Sequence, residues 1–301
     1  MDPWEVVKAF VIGPLLEATV PKPGNVSRRR DFNDLTLYHF IFASPAWADV
    51  LREAVLRGKE IAEGRRPLEE ANIGRFIRTA VEKSKAYQDA NPNFGVITLS
   101  VPLVVALPSG GVEGAGKIAR TLIEASTPED SIELYRAIRI ANPKGIPKGV
   151  KYDVYSDESF EELRRDGVNL LRLAEMSCER ELIFCEWLNC YSLVYKTFGR
   201  LEELVGEKPL EEAVLWAFLE LLAEREDTLI LRKAGPEEAR LVRERACAVL
   251  LGEMTLEDFE RFMEERGDLR NPGSLADIMA VTLSLLLLKG YRLRGRWLVI
   301  G

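Results

Sequence analysis

The sequence predicts an all-α protein, a single-domain multi-helix bundle spanning residues 1–301 with at most a short hairpin. Three observations predict it. Apolar residues recur at helical spacing along almost the whole chain, helix-start signals recur, and alternating strand patterns are scarce. Asp2-Pro3 reads as an N-cap followed by a first-turn proline, with Trp4, Val7, Phe10 and Val11 on one face. Thr127-Pro128-Glu129-Asp130 is a capping-box start that leads into Ile132, Tyr135 and Ile138. Thr255 and Asp258 repeat it before Phe259, Phe262 and Met263. Further helices fit 48–63, 72–90, 157–197, 210–225, 236–250 and 275–289. Strands are expected only at 151–155 and 291–300, and 101–107 also resembles a short strand.

Composition narrows the class of function. With 47% hydrophobic and 30% charged residues the chain is globular rather than disordered. A net charge of −7 argues against a nucleic-acid partner. The longest apolar run recognised, Ile278 to Leu288, carries Thr282 and Ser284 and is too short to span a bilayer. The start, Met-Asp-Pro-Trp-Glu, lacks a signal peptide's basic region, so a cytoplasmic protein without membrane contact is expected. Cys178, Cys185, Cys190 and Cys247 form no CxxC pair, and three of them fall in one predicted helix, which points to core packing. The single histidine, His39, excludes a multi-histidine metal site and reads as a partly buried packing residue. One glutamine beside abundant Glu and Arg is a thermophile-like composition.

Chemistry-bearing residues collect in the connections. Asp227-Thr228-Leu229-Ile230-Leu231-Arg232-Lys233-Ala234-Gly235 combines a carboxylate, a hydroxyl and two cations. A magnesium-loaded polyphosphate would use that mixture, and so would a surface ion-pair cluster at a helix end. Pro21-Lys22-Pro23-Gly24-Asn25 is a rigid turn with two donors, and Asp34 beyond it suits a metal or a helix cap. Asn91-Pro92-Asn93-Phe94-Gly95 is a second turn. Asn271-Pro272-Gly273-Ser274 opens a very apolar helix with Asp277 in its first turn, as dipole compensation or metal ligand. Gly111 to Lys117 has phosphate-loop spacing, but Ile118 follows where the magnesium-binding hydroxyl belongs, so an interhelical loop is the better reading.

Taken in order, the Pro21–Gly24 turn, Asn93 with Gly95, Asp227-Thr228 with Arg232-Lys233-Gly235, and Pro272-Gly273 with Ala276-Asp277 resemble the triphosphoribosyl-dephospho-CoA synthase family. Tyr135-Arg136-Ala137-Ile138-Arg139 and Glu179 to Glu186 are weaker echoes, and the likeness covers nearly the whole chain. It departs from the bacterial pattern in lacking that pattern's histidines after the first turn and in the Asn93 turn, which bears on the acceptor more than on the reaction. The resemblance implies transfer of the triphosphoribosyl part of ATP to a ribose hydroxyl of dephospho-CoA or a related coenzyme precursor, with release of adenine and dependence on Mg2+. It implies catalytic carboxylates among Asp34, Glu181 and Glu186, with Glu17 a weaker candidate. Lys22, Arg232 and Lys233 would hold phosphates, and Asn25, Asn93, Thr228 and Ser274 would orient ATP. Asp34, Asp227 and Asp277 would hold the metal. The alternatives are a nucleotide-binding regulatory protein that kept the pocket without turnover, and a phosphate-loop phosphotransferase. No nucleic acid or membrane partner is expected, and a homodimer stands as an open option.

Overall fold

The computed structural model describes residues 1–301. Its helices are α1 (Pro3–Thr19), α2 (Leu37–Ala46), α3 (Ala48–Ala62), α4 (Ile73–Lys85), α5 (Phe94–Glu124), α6 (Pro128–Ala141), α7 (Glu158–Arg165), α8 (Leu170–Ser177), α9 (Leu182–Leu188), α10 (Ser192–Glu207), α11 (Leu210–Glu224), α12 (Thr228–Ala234), α13 (Pro236–Leu250), α14 (Leu256–Glu265) and α15 (Gly273–Leu288). The only strands, β1 (Tyr291–Arg294) and β2 (Trp297–Ile300), pair antiparallel, so the all-α class and the short hairpin are both present. The start signals act as the sequence predicts. The Asp2 side chain accepts from the Trp4 N–H, Thr127 and Asp130 form a reciprocal capping box, and Thr255 accepts from the Asp258 N–H.

One hydrophobic core of 77 buried residues joins every helix but α2 to the hairpin, with α5 and α15 at its centre. Each is apolar on all sides, which is what a helix surrounded by others requires. At 31 residues α5 is long and apolar enough to cross a membrane, contrary to the shorter apolar run read from the sequence. Its most apolar window is 78% buried among the other helices, which marks it as a core helix. Alongside, α1 runs against α15 closely enough that a Cβ on Gly13 would lie 2.2 Å from Ser284 Oγ and 2.8 Å from the Ala280 carbonyl oxygen. Only glycine allows that approach, and the approach sets Glu17 of α1 beside the first turns of α15.

Several sequence expectations are corrected. Residues 101–107 lie inside α5, because that helix is buried on all sides and needs no period-2 pattern. The phosphate-loop spacing at Gly111 to Lys117 also lies in α5, at a kink where Gly111 has φ 61°, so no strand precedes it and no loop cradles a phosphate. Residues 151–155 are turns carrying Tyr152 at φ 58°, not a strand.

The predicted long helix 157–197 is four helices, α7 to α10. It breaks at 166–169 around Gly167 (φ 64°), at the extended Glu181, and at Cys190 and Tyr191, which are both left-handed. That break brings Cys178 and Cys185 into a disulfide with Cα atoms 4.6 Å apart, where core packing was expected. Seven residues of unbroken helix would have held them about 10 Å apart.

Candidate active site

A cavity of about 1260 Å³ opens between the C-terminal end of α1, the N-terminal ends of α5 and α15, the α8–α9 turn, α12, and the 142–154 segment after α6. It exceeds the roughly 300–1000 Å³ of a pocket for one small ligand and has room for two.

Its carboxylates are Glu17, Glu181 and Asp277 on the inner wall, with Asp34, Asp89 and Asp268 toward the mouth. Asp277 receives no hydrogen bond. Burial pushes its carboxyl well above the usual range, and Glu17, Glu181 and Asp227 push the same way against the opposing Arg232. Its position depends on Gly95, where a Cβ would fall 1.9 Å from Asp277 Oδ2. Glu181 is the extended residue before α9. It is raised by burial, opposed by the Arg232 guanidinium that donates to Oε2 and by the Thr228 hydroxyl 3.2 Å from Oε1. Glu17 is raised by burial and held by Lys22 at 2.9 Å.

Cations stand among these acids on the cavity lining, and several pair with them directly. Arg232 lies on α12 with its Nε buried and unpartnered. Lys233 donates to the Asp268 carbonyl and carboxylate at 3.1 and 3.2 Å. Arg180 is exposed on the α8–α9 turn, and Lys144 pairs with Asp34 at 3.3 Å. Two amides complete the wall. Asn93 donates to Ser44 Oγ and Asn25 to Asn271 Oδ1, each at 3.1 Å, which leaves both Asn25 and Asn93 carboxamide oxygens buried without a donor. Unpaired buried acceptors on a cavity wall are waiting for a ligand's hydroxyl or amino groups.

The remaining sequence candidates have other roles. Lys22 points into the interior, where it donates to the Glu17 and Val20 carbonyls that end α1, and it does not line the cavity. A buried ammonium beside a buried carboxylate and two orphan carbonyls is fully occupied, so Lys22 holds no phosphate. Glu186 accepts from the Leu193 and Val194 N–H groups at 3.1 and 2.9 Å and so caps α10, buried and outside the cavity. It is a structural cap where a catalytic group was expected.

Asp227 caps two helices at once. Its Oδ1 accepts from Leu229 and Ile230 at 2.8 and 3.0 Å, and its Oδ2 from Leu275 at 2.8 Å. Thr228 stands behind the wall, 2.8 Å from Ser274 Oγ, while Ser274 itself lines the cavity. Asp34 is 62% exposed at the mouth. No three acidic, histidine or cysteine side chains converge on one point. Asp34, Asp227 and Asp277 therefore do not form a preassembled metal site, because one faces solvent, one faces backbone and one faces the cavity. His39 lines the cavity, with Nδ1 accepting from the Thr36 N–H at 2.9 Å.

A family model described as CitG, ATP:dephospho-CoA triphosphoribosyl transferase, matches residues 3–295. The chain belongs to the CitG family. A crystal structure from Archaeoglobus fulgidus, provisionally named triphosphoribosyl-dephospho-CoA synthase, is 25% identical and superposes with a TM-score of 0.64, covering 85% of this chain and 100% of that one. No curated protein matches the chain significantly.

As a CitG transferase the chain has two contributors that the sequence motifs did not single out, Lys144 and Asp268, beside Asn271 of the predicted turn. Lys144, Asp268 and Asn271 reach the cavity from a Pro- and Gly-rich turn, a 3-10 turn and its exit. Three lysines, Lys144, Lys148 and Lys151, in one short stretch of an acidic CitG chain were the available signal for the first. The echo at Tyr135 to Arg139 also gains a reason. Tyr135 donates to the Tyr152 carbonyl at 2.8 Å and Arg139 to those of Val154 and Ser156, which ties the lysine-bearing segment to α6.

Proposed function

We propose that this protein transfers the triphosphoribosyl group of ATP to a ribose hydroxyl of dephospho-CoA or a closely related precursor, with adenine leaving. The observation that carries this reading is that one cavity with room for two ligands is lined both by buried carboxylates, Asp277 and Glu181, and by a set of cations, Arg232, Lys233, Arg180 and Lys144. The cations match the triphosphate, and Arg232 brings a fork suited to phosphate oxygens. The Asn25 and Asn93 oxygens take donors from the ATP ribose or base.

In the reaction the acceptor oxygen bonds to the anomeric carbon, the bond from that carbon to the adenine nitrogen breaks, and the acceptor hydroxyl gives up its proton. Glu181, which burial holds above the ordinary carboxylate range, is the base for that proton. Its charge also favours the positive character that develops on the sugar ring. Magnesium needs only one or two protein carboxylates when substrate phosphates supply the rest. Asp277, which nothing else engages, would hold it with Glu181 at its side. The ion would neutralise phosphate charge when bound.

The test is incubation with ATP, magnesium and dephospho-CoA, with mass spectrometry for free adenine and an acceptor heavier by a triphosphoribosyl unit. Glu181→Gln should lower kcat by about 10²–10⁴-fold with ATP binding retained. ATP binding without product across a panel of acceptors would instead make this a regulatory nucleotide-binding protein. Full activity in the glutamine variant would sink the role of Glu181.

A further inference from the structure

We propose that the Cys178–Cys185 pair is a reversible thiol–disulfide modification site that controls the catalytic cavity, an inference that rests on the function proposed above. The bond spans the α8–α9 turn, and every residue it encloses that points to the cavity belongs to the site. Cys178 closes the C-terminal end of α8 and Cys185 lies in the first turns of α9. Between them sit Arg180, exposed at the cavity, and Glu181, paired with Arg232. The Arg180 carbonyl also accepts from Arg232 at 3.4 Å. The other ties on the turn are backbone bonds from Arg180 and Glu181 to the Ser177 carbonyl at 3.0 and 2.9 Å, one from Phe184 back to Glu181 at 3.0 Å, and Thr228 Oγ1, which accepts from the Leu182 N–H and donates to Glu181 Oε1, each at 3.2 Å.

Opening the disulfide thus leaves an extended residue, Glu181, on a short turn held by backbone bonds, by the Thr228 hydroxyl and by the Arg232 pair, with no covalent tie across it. Cys178 and Cys185 are both half-buried residues. Cys190 and Cys247 remain free and stand outside this cavity.

The chemistry balances with one co-reactant. A low-molecular-weight disulfide is attacked by one cysteine thiolate to give a mixed disulfide and one small thiol. The second cysteine displaces the other small thiol, so two electrons and two protons leave the protein. A dithiol reverses the change. The closed form is the competent one, because it fixes the backbone on either side of Glu181. The open form lets that carboxylate wander, and misplacement of about 1 Å can cost up to about a hundredfold.

The experiment uses the full chain equilibrated with excess small disulfide or with excess dithiol, then alkylated. Trypsin cuts after Arg172, Arg180 and Lys196, so the closed form yields peptides 173–180 and 181–196 linked through sulfur and the open form yields them separate. Reduction should speed amide hydrogen exchange over 177–186 while far-UV circular dichroism is unchanged, and lower kcat/KM for ATP about tenfold or more. Reoxidation should restore both. The Cys178→Ser/Cys185→Ser double variant should stay at the reduced level in either buffer, and Cys247→Ser should respond like the parent.

Equal exchange and equal kcat/KM in the two forms would overturn the proposal. So would a double variant that still responds, or the lack of a linked peptide after oxidation. If neither form makes transfer product, the catalytic reading fails by itself, and the exchange and peptide measurements still decide whether the turn is redox-gated.

Discussion

Asp227 stood in the sequence as a metal ligand beside two phosphate-binding cations, and in the fold its carboxylate accepts three backbone N–H groups at the starts of α12 and α15. Such a cap keeps two helix ends in register, which is how Arg232 and Ser274 come to share one cavity wall. Burial nonetheless pushes Asp227 up to about 6 from 3.8, against the pull of those bonds. Because the folded value lies above the unfolded one, its contribution to stability is fully present below about pH 3.8 and lost as pH rises through about 6. The stability difference between the parent and Asp227→Asn should therefore shrink by roughly 3 kcal/mol from pH 3.5 to 7.5 in denaturant titrations. A difference that does not change with pH would contradict this. The same residue-level lesson holds for Lys22 and Glu186. Their types were right for a site, but each is engaged by helix ends whose positions no local pattern discloses.

At the scale of elements, the site is made where helices begin and end rather than along their faces. The N-terminal end of α5 meets that of α15 at Gly95, with no room for a Cβ beside Asp277. Gly95→Ala should displace the Asp277 carboxylate and lower kcat/KM by about a hundredfold, with the fold intact by circular dichroism. A variant with parental kinetics would show that Asp277 needs no such placement. The Asn93–Gly95 turn was legible in the sequence as a helix boundary and as part of the family pattern. The breaks inside 157–197 were only half legible. Gly167 is a readable stop, whereas Cys190 and Tyr191 adopt left-handed backbone that their residue types rarely take. Tertiary packing of the buried Trp187 and Tyr191 overrides the helical pattern there.

For the whole molecule, the decisive property is one cavity large enough for donor and acceptor together. Its outer wall is the lysine-bearing segment after α6, tied down by Tyr135 and Arg139. Tyr135→Phe removes the bond to the Tyr152 carbonyl, worth about 1 kcal/mol, and should raise KM for the acceptor several-fold while KM for ATP stays near parental. Equal changes in both constants would argue against an acceptor-side wall. The sequence by itself determined the all-α class, most helix starts, the hairpin, and the family order of turns. These rest on local periodicity, capping chemistry and motif spacing, which neighbouring residues suffice to express. Only the tertiary structure decided which polar groups face the cavity and which cap helices. It also decided that Cys178 meets Cys185 and that Asp277 is the acid left without a donor. The reason is physical. A carboxylate or an ammonium is chemically the same in a cap and in a site, and only the surrounding packing determines whether backbone or ligand occupies its lone pairs or protons.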